Sequence, residues 1–198
     1  MGITIHFSGI LKNTDLITEL VDELSDIADI MDWPYQILDE DWSKPCTAEI
    51  ADGGITGHLP LKGISIQLHP ASESLTLFFD PQGRLTSPIT LISIKQGELN
   101  DKEVYNFVKT QFAPPDLHIS IVKLLRFLKK KYIPDLQVID EGEYWETGDR
   151  DRLIEKMQFL QNKLDQLQQT VSTINPDHAL LFSPDQLAQL IEKKLKNL

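Results

Sequence analysis

The tract from Asp140 to Asp149 (Asp-Glu-Gly-Glu-Tyr-Trp-Glu-Thr-Gly-Asp) sets five carboxylates around an adjacent tyrosine and tryptophan. If the strand predicted over 136–139 continues through it, Glu141 and Glu143 share one face with their Cα atoms about 6.6 Å apart. Carboxylates paired at that spacing can chelate a divalent cation or divide acid and base roles. Tyr144 and Trp145 offer ring faces to a ligand. His69, with Glu73 in the same turn, and His118, near a predicted helix start, are the imidazoles that can converge on such a site. The ligand-binding set is therefore Glu141, Glu143, Tyr144, Trp145, His69 and His118. A structural alternative reads the same acids as charges that guard a sheet edge and precede a helix N-terminus. The sequence favours that alternative. An EF-hand loop is excluded, because a start at Asp140 puts Gly142 and Tyr144 where oxygen ligands belong.

Other chemistry is sparse. His6, His58, His69, His118 and His178 are scattered, with neither His-Glu-x-x-His nor His-x-x-x-His among them, so no metal site is expected. The stretch Asp52-Gly53-Gly54-Ile55-Thr56-Gly57 lacks the Lys-Ser/Thr of a phosphate loop and reads as a flexible segment. No Gly-x-Ser-x-Gly elbow occurs. Cys46 follows Pro45 in an acidic neighbourhood, which does not favour a thiolate. No catalytic residue and no cofactor are assigned.

The most regular pattern speaks of assembly. Leu153, Met157, Leu160, Leu164, Leu167, Val171 and Ile174 are spaced 4-3-4-3-4-3, which makes a heptad seam. A helix from about 150 is expected to run until Pro176, some 37 Å at 1.5 Å per residue. Ser183-Pro184-Asp185-Gln186 caps a last helix with one apolar face. The two are expected to form a hairpin, although a second copy or another protein can also cover the seam. The flanking positions bring no opposite charges together, so nothing electrostatic specifies a parallel homodimer.

Charge is segregated. Residues 1–80 hold 14 Asp and Glu against three Lys, and the remainder is balanced, so the formal net charge of -11 sits in the first half. Such a half repels phosphate backbones and anionic lipid, which argues against nucleic-acid or membrane partners. It reads first as a solvated face, with an acidic docking surface for a basic protein partner as the sharper alternative, while self-association would run through the heptad seam. No run of about 18 apolar residues occurs, the first residues lack a basic region ahead of an apolar block, and a single cysteine allows no internal disulfide. A cytoplasmic protein is the expectation.

These residues need a frame. A strand over 3–11 is followed by a helix to about Met31, with Ile17, Leu20, Val21, Leu24, Ile27, Ala28 and Met31 on its buried stripe. Trp33-Pro34 ends it, and a short strand follows at 35–38. An irregular loop occupies about 39–62. Strands are expected at 63–69, 74–79 and 89–94. A helix near Asp101 has Asn100 and Glu103 as its capping box, with Val104, Phe107 and Val108 facing inward. A further helix covers about 116–132. The predicted fold is α+β: an antiparallel or mixed sheet of about five or six strands with helices on one face, plus a C-terminal helical hairpin. Residues 1–149 form the α+β domain and 150–198 the two-helix segment. The leading functional expectation is a non-enzymatic interaction or assembly module that uses the acidic half and the C-terminal helices. The rival is a metal-dependent or small-ligand enzyme built around Glu141, Glu143, His69 and His118.

Overall fold

A computed structural model describes residues 3–51, 53–100 and 105–172. The chain divides into two compact units, 1–153 and 154–198. The first is a mixed α+β structure whose sheets are all antiparallel.

Strand β1 (Thr4–Ser8) alternates half-buried and buried residues, with Ile5 and Phe7 inward, as a strand with one covered face must. Asn13 then accepts a hydrogen bond from the Asp15 amide and opens a 3-10 turn that leads into helix α1 (Ile17–Ile30). Its buried residues Ile17, Leu20, Leu24 and Ala28 recur every three or four positions, whereas Met31, expected on the same stripe, caps the helix end and is exposed. Strands β2 (Tyr35–Asp39), β5 (Lys62–Ile66), β6 (Leu75–Phe79) and β7 (Leu85–Thr86) form a four-stranded meander in that order. The loop expected at 39–62 contains a hairpin of its own, β3 (Glu49–Ala51) with β4 (Gly54–Thr56), in which Ile50 faces Ile55.

Two expectations are corrected here. The β-branched run at 89–94 is not a strand but part of helix α2 (Pro88–Lys95). The Ser87 hydroxyl accepts from the Thr90 amide at 3.1 Å, and Pro88 is pre-set for the first helical position. Those two local signals outweigh strand propensity in a segment that buries only Ile92. Ser87→Ala is therefore expected to lower stability by about 1 kcal/mol in urea unfolding, whereas a strand here would lose almost nothing.

The second correction concerns Phe107 and Val108. They lie in strand β8 (Asn106–Lys109), where Val108 is buried while Phe107 is 54% exposed. Adjacent residues point to opposite faces of a strand, so the two do not share an inward stripe. The capping-box residue Glu103, together with Val104, lies outside the described residues.

Helix α3 (Pro115–Lys131) buries Ile121, Val122, Leu125 and Leu128. Strand β9 (Gln137–Asp140) follows, then a single helical turn, α4 (Tyr144–Thr147). Strand β1 is the middle of a three-stranded sheet in the order β8-β1-β9, with His6 opposite both Phe107 and Ile139. The predicted sheet of five or six strands is thus replaced by sheets of three, four and two. The larger two meet where the chain leaving β1 runs beside β7: Leu85 donates to the Gly9 carbonyl, and Leu11 to that of Gly83. Their buried faces and the stripes of α1 and α3 merge into one core.

Helix α5 (Arg150–Ser172) begins in the first unit. The Asp149 carboxylate accepts from the amides of Asp151 and Arg152, and Leu153 is fully buried. Within the second unit Met157 is buried and Leu160 and Leu164 are half-buried, while Phe159 is exposed. Leu167 and Val171 belong to the same helix. Ile174, Pro176, His178 and the predicted last helix lie outside the described residues. No described helix is long and apolar enough to cross a membrane.

Candidate functional site

Strand β9 stops at Asp140. Glu143 takes a left-handed backbone conformation (φ 60°), and its amide donates back to the Asp140 carbonyl at 3.0 Å. The chain therefore turns tightly through Glu141 and Gly142 into α4, and the strand alternation expected to align Glu141 with Glu143 is broken. Each acid has its own engagement. Glu141 accepts from the Thr4 amide at 2.9 Å and lies 3.9 Å from His6 Nε2. Glu143 pairs with Arg152 at the start of α5.

The turn is organised by Asp140, whose side chain is sealed from water. One oxygen accepts from the Gly142 amide at 2.7 Å, the other from the Trp145 amide at 2.9 Å. His118 Nε2, on the first turns of α3, lies 3.1 Å from the same carboxylate. Burial alone raises a carboxyl pKa, but here the His118 bond and charge, helped by the two amides, outweigh it and hold Asp140 below its ordinary value. An ionised carboxylate can only accept, so Nε2 donates to it. The other ring nitrogen, Nδ1, is 2.8 Å from the Thr110 hydroxyl just after β8. In a neutral ring that hydroxyl is the donor.

Hydroxyl, imidazole and carboxylate thus stand in the order of a nucleophile, its base and the group that orients the base. Both Thr110 and His118 are fully buried, and Gly142 seats directly on the imidazole. A Cβ at Gly142 would come within 2.9 Å of two His118 ring atoms and 2.7 Å of Leu153. No substrate reaches an oxygen packed this way. What the cluster does is tie the end of β8, the start of α3 and the end of β9 at one point.

The aromatic pair is occupied as well. The Arg126 guanidinium lies 5.5 Å from the centre of the Trp145 ring and 6.0 Å from that of Tyr144. It also donates to the Trp145 carbonyl at 2.7 Å, and Lys129 approaches the Trp145 ring from α3. The tract 140–149 thereby gathers four of the six predicted ligand-binding residues, Glu141, Glu143, Tyr144 and Trp145, with His118 beside them. His69 sits in the turn after β5, where its Nδ1 accepts from the Ala71 amide. Among the described residues no three His, Cys, Asp or Glu side chains are grouped to hold a metal ion.

Sequence reasoning did not connect Asp140 to His118 or Thr110, because their separations follow no local period. Gly142 was the available signal: a glycine between two glutamates, where no turn dipeptide requires one, marks a close approach.

The other surface built from the acidic half lies on α1 and β2. Lys131 bridges Glu19 and Glu23 from α3, and Tyr132 donates to both. The Lys131 bonds are the main reason that both glutamates titrate below their usual value. Asp22, Asp26, Asp29 and Asp32 have no cationic partner among the described residues. Burial, with Asp29 and Asp26 adding to it, pushes the Tyr35 phenol above its usual pKa. Within this rim the chain exposes Ile30 (83%), Met31, Tyr35 and Ile37 over eight residues. Strand β2 bonds to β5 along one edge, and its other edge meets no strand among the described residues. A groove of about 180 Å³ runs between α1 and β2, lined by Ile17, Val21, Asp22, Ile37, Leu38 and Asp39 among others.

No family model, curated protein or solved structure matches this chain.

Proposed function

We propose that this protein is an interaction module whose acidic first half docks a basic, partly apolar segment of another protein along β2. The observation that carries the reading is the open edge of β2, with its exposed Tyr35 and Ile37 set among aspartates that have no cationic partner among the described residues. An edge strand offers a row of backbone donors and acceptors to an added strand. Large apolar groups exposed together inside a charged rim are unusual on a surface that stays wet. Asp22, Asp26, Asp29 and Asp32 select cations, so the fitting partner alternates lysine or arginine with aliphatic residues. Helix α5, with its heptad stripe, is the second element of this reading and serves assembly.

The test is a titration of the full chain with a nine-residue peptide alternating lysine and valine. Binding with a Kd on the order of 1–100 μM is expected, weakening about tenfold or more between 0.05 and 0.5 M salt. Asp26→Lys combined with Asp32→Lys should weaken it about tenfold or more. Equal affinity for a peptide carrying glutamate in place of lysine, or insensitivity to the double substitution, would overturn the proposal.

A further inference from the structure

The three-stranded sheet β8-β1-β9 turns one face into the core, through Ile5, Phe7 and Val108. Residues directly opposite each other on antiparallel strands share a face, so His6, Phe107 and Ile139, paired across the sheet, turn the other way. The His6 and Phe107 ring centres are 6.2 Å apart. An antiparallel face that stays wet carries polar residues at its outward positions. Here the two outer strands carry phenylalanine and isoleucine there, each 54% exposed, on either side of the histidine. This face is distinct from the α1–β2 surface, and nothing in the interaction reading uses it.

Charge selects the occupant. Thr4 lies level with Lys109 on one side. On the other it is bonded to Glu141, whose amide extends the β9 ladder by one residue and whose carboxylate lies 3.9 Å from His6. The face therefore ends in a cation on its β8 side and an anion on its β9 side. The two cancel, in a chain whose formal net charge is -11. An isologous contact sets one patch against itself, so each group needs its complement elsewhere on the same patch.

The register supplies those complements. Sheets packed face to face in the aligned class keep their strands within about 30° of each other. A two-fold axis running along β1, midway between two such sheets, lays β8 of each copy over β9 of the other. Lys109 then meets Glu141 of the partner subunit, and Phe107 meets Ile139 of the partner subunit. An axis across the strands would instead lay β8 on β8 and part the charges by the length of a strand. We propose that a second copy of this chain covers the face in the first arrangement, with Phe107 and Ile139 at the centre of the contact and two Lys109–Glu141 pairs at its rim. Three strands of four or five residues span about 15 Å each way. Such a contact lies at the small end of specific interfaces, and the dimer is accordingly weak.

Sedimentation equilibrium of the full chain from about 1 μM to about 1 mM tests the assignment. A dimer with a Kd on the order of 10–100 μM is expected. Phe107→Asp, at an exposed position, should weaken it about tenfold or more. Lys109→Glu brings two carboxylates together on both sides of the axis and should also weaken it about tenfold or more. Adding Glu141→Lys to that variant should restore the Kd to within about threefold of wild type. Neither Lys109 nor Glu141 lies on the α5 seam or on β2, so contacts through those elements would show no such rescue. Should Phe107→Asp fail to fold, the charge pair still reads the contact. A monomer throughout the range, wild-type dimerisation in either folded single variant, or a loss that the second charge does not repair would overturn the proposal.

Discussion

Asp140→Ala should cost about 3–5 kcal/mol of unfolding free energy at neutral pH, seen as a thermal midpoint lower by about 6–20 °C. The carboxylate serves three donors at once, His118 Nε2 and the amides of Gly142 and Trp145. Alanine leaves all three buried or half-buried without a partner and opens space beneath the imidazole, and an unmet buried donor forfeits its full desolvation. The loss should also depend on pH. Because the folded state depresses the Asp140 pKa, its contribution is complete above the ordinary carboxylate value of about 3.9 and disappears as pH falls through the folded value. The difference between wild type and variant should therefore start to shrink as pH falls below about 4 and keep shrinking toward the folded value. Urea unfolding followed at pH 7 and pH 3 checks both statements. A constant difference across that range would mean that the ionised carboxylate is not what holds the turn.

Gly63→Ala should be as damaging for a different reason. Gly63 sits inside β5, between Leu38 and Phe78 on the neighbouring strands. Its backbone has φ 141°, and a Cβ there would lie 2.0 Å from the Leu77 carbonyl oxygen. The obstacle is backbone on a paired strand, which cannot rotate aside as a side chain can. Steric overlap and conformational strain together should cost about 3–6 kcal/mol. Gly97→Ala provides the contrast: φ is also positive (76°) but nothing lies within 4 Å of the added atom, so only about 1 kcal/mol should be lost. Thermal unfolding of the two variants side by side would separate the clash from the dihedral. If Gly63→Ala melts no lower than Gly97→Ala, β5 must adjust more freely than its pairing implies.

The elements that were legible in the sequence are those whose signals are local. The stripe from Ile17 to Ala28 and that from Ile121 to Leu128 repeat with the period of a helix, and both form helices. The alternation around Ile5 and Phe7, and the meander through 75–79, read correctly as strands for the same reason. Where two local signals disagree, the strand expected at 89–94 followed the isoleucines and passed over Ser87-Pro88 just ahead of them, which start a helix. Where structure depends on distant chain, no local signal existed. Asn106–Lys109 is a strand because β1, some hundred residues earlier, supplies the pairing edge. The same holds for the partition into separate sheets and for the meeting of Thr110, His118 and Asp140. The candidate tract at 140–149 was recognised from its composition, but the group that organises it is its first acid and not the two glutamates singled out by spacing. A cleft of about 240 Å³ lined by Ser8, Thr86, Leu91, Tyr105 and Asp135 among others draws on five segments of chain and left no trace in any one of them.

The placement of β1 also bears on how the protein comes into being. During synthesis β1 emerges about a hundred residues ahead of the strands that must flank it, both of which lie beyond residue 105. Until they follow, Ile5 and Phe7 have no sheet to join, and closing that sheet means spanning loops of about a hundred residues, a slow step in any chain. A nascent chain of this design stays vulnerable until β9 has left the ribosome, which makes shelter by a chaperone most valuable in that interval.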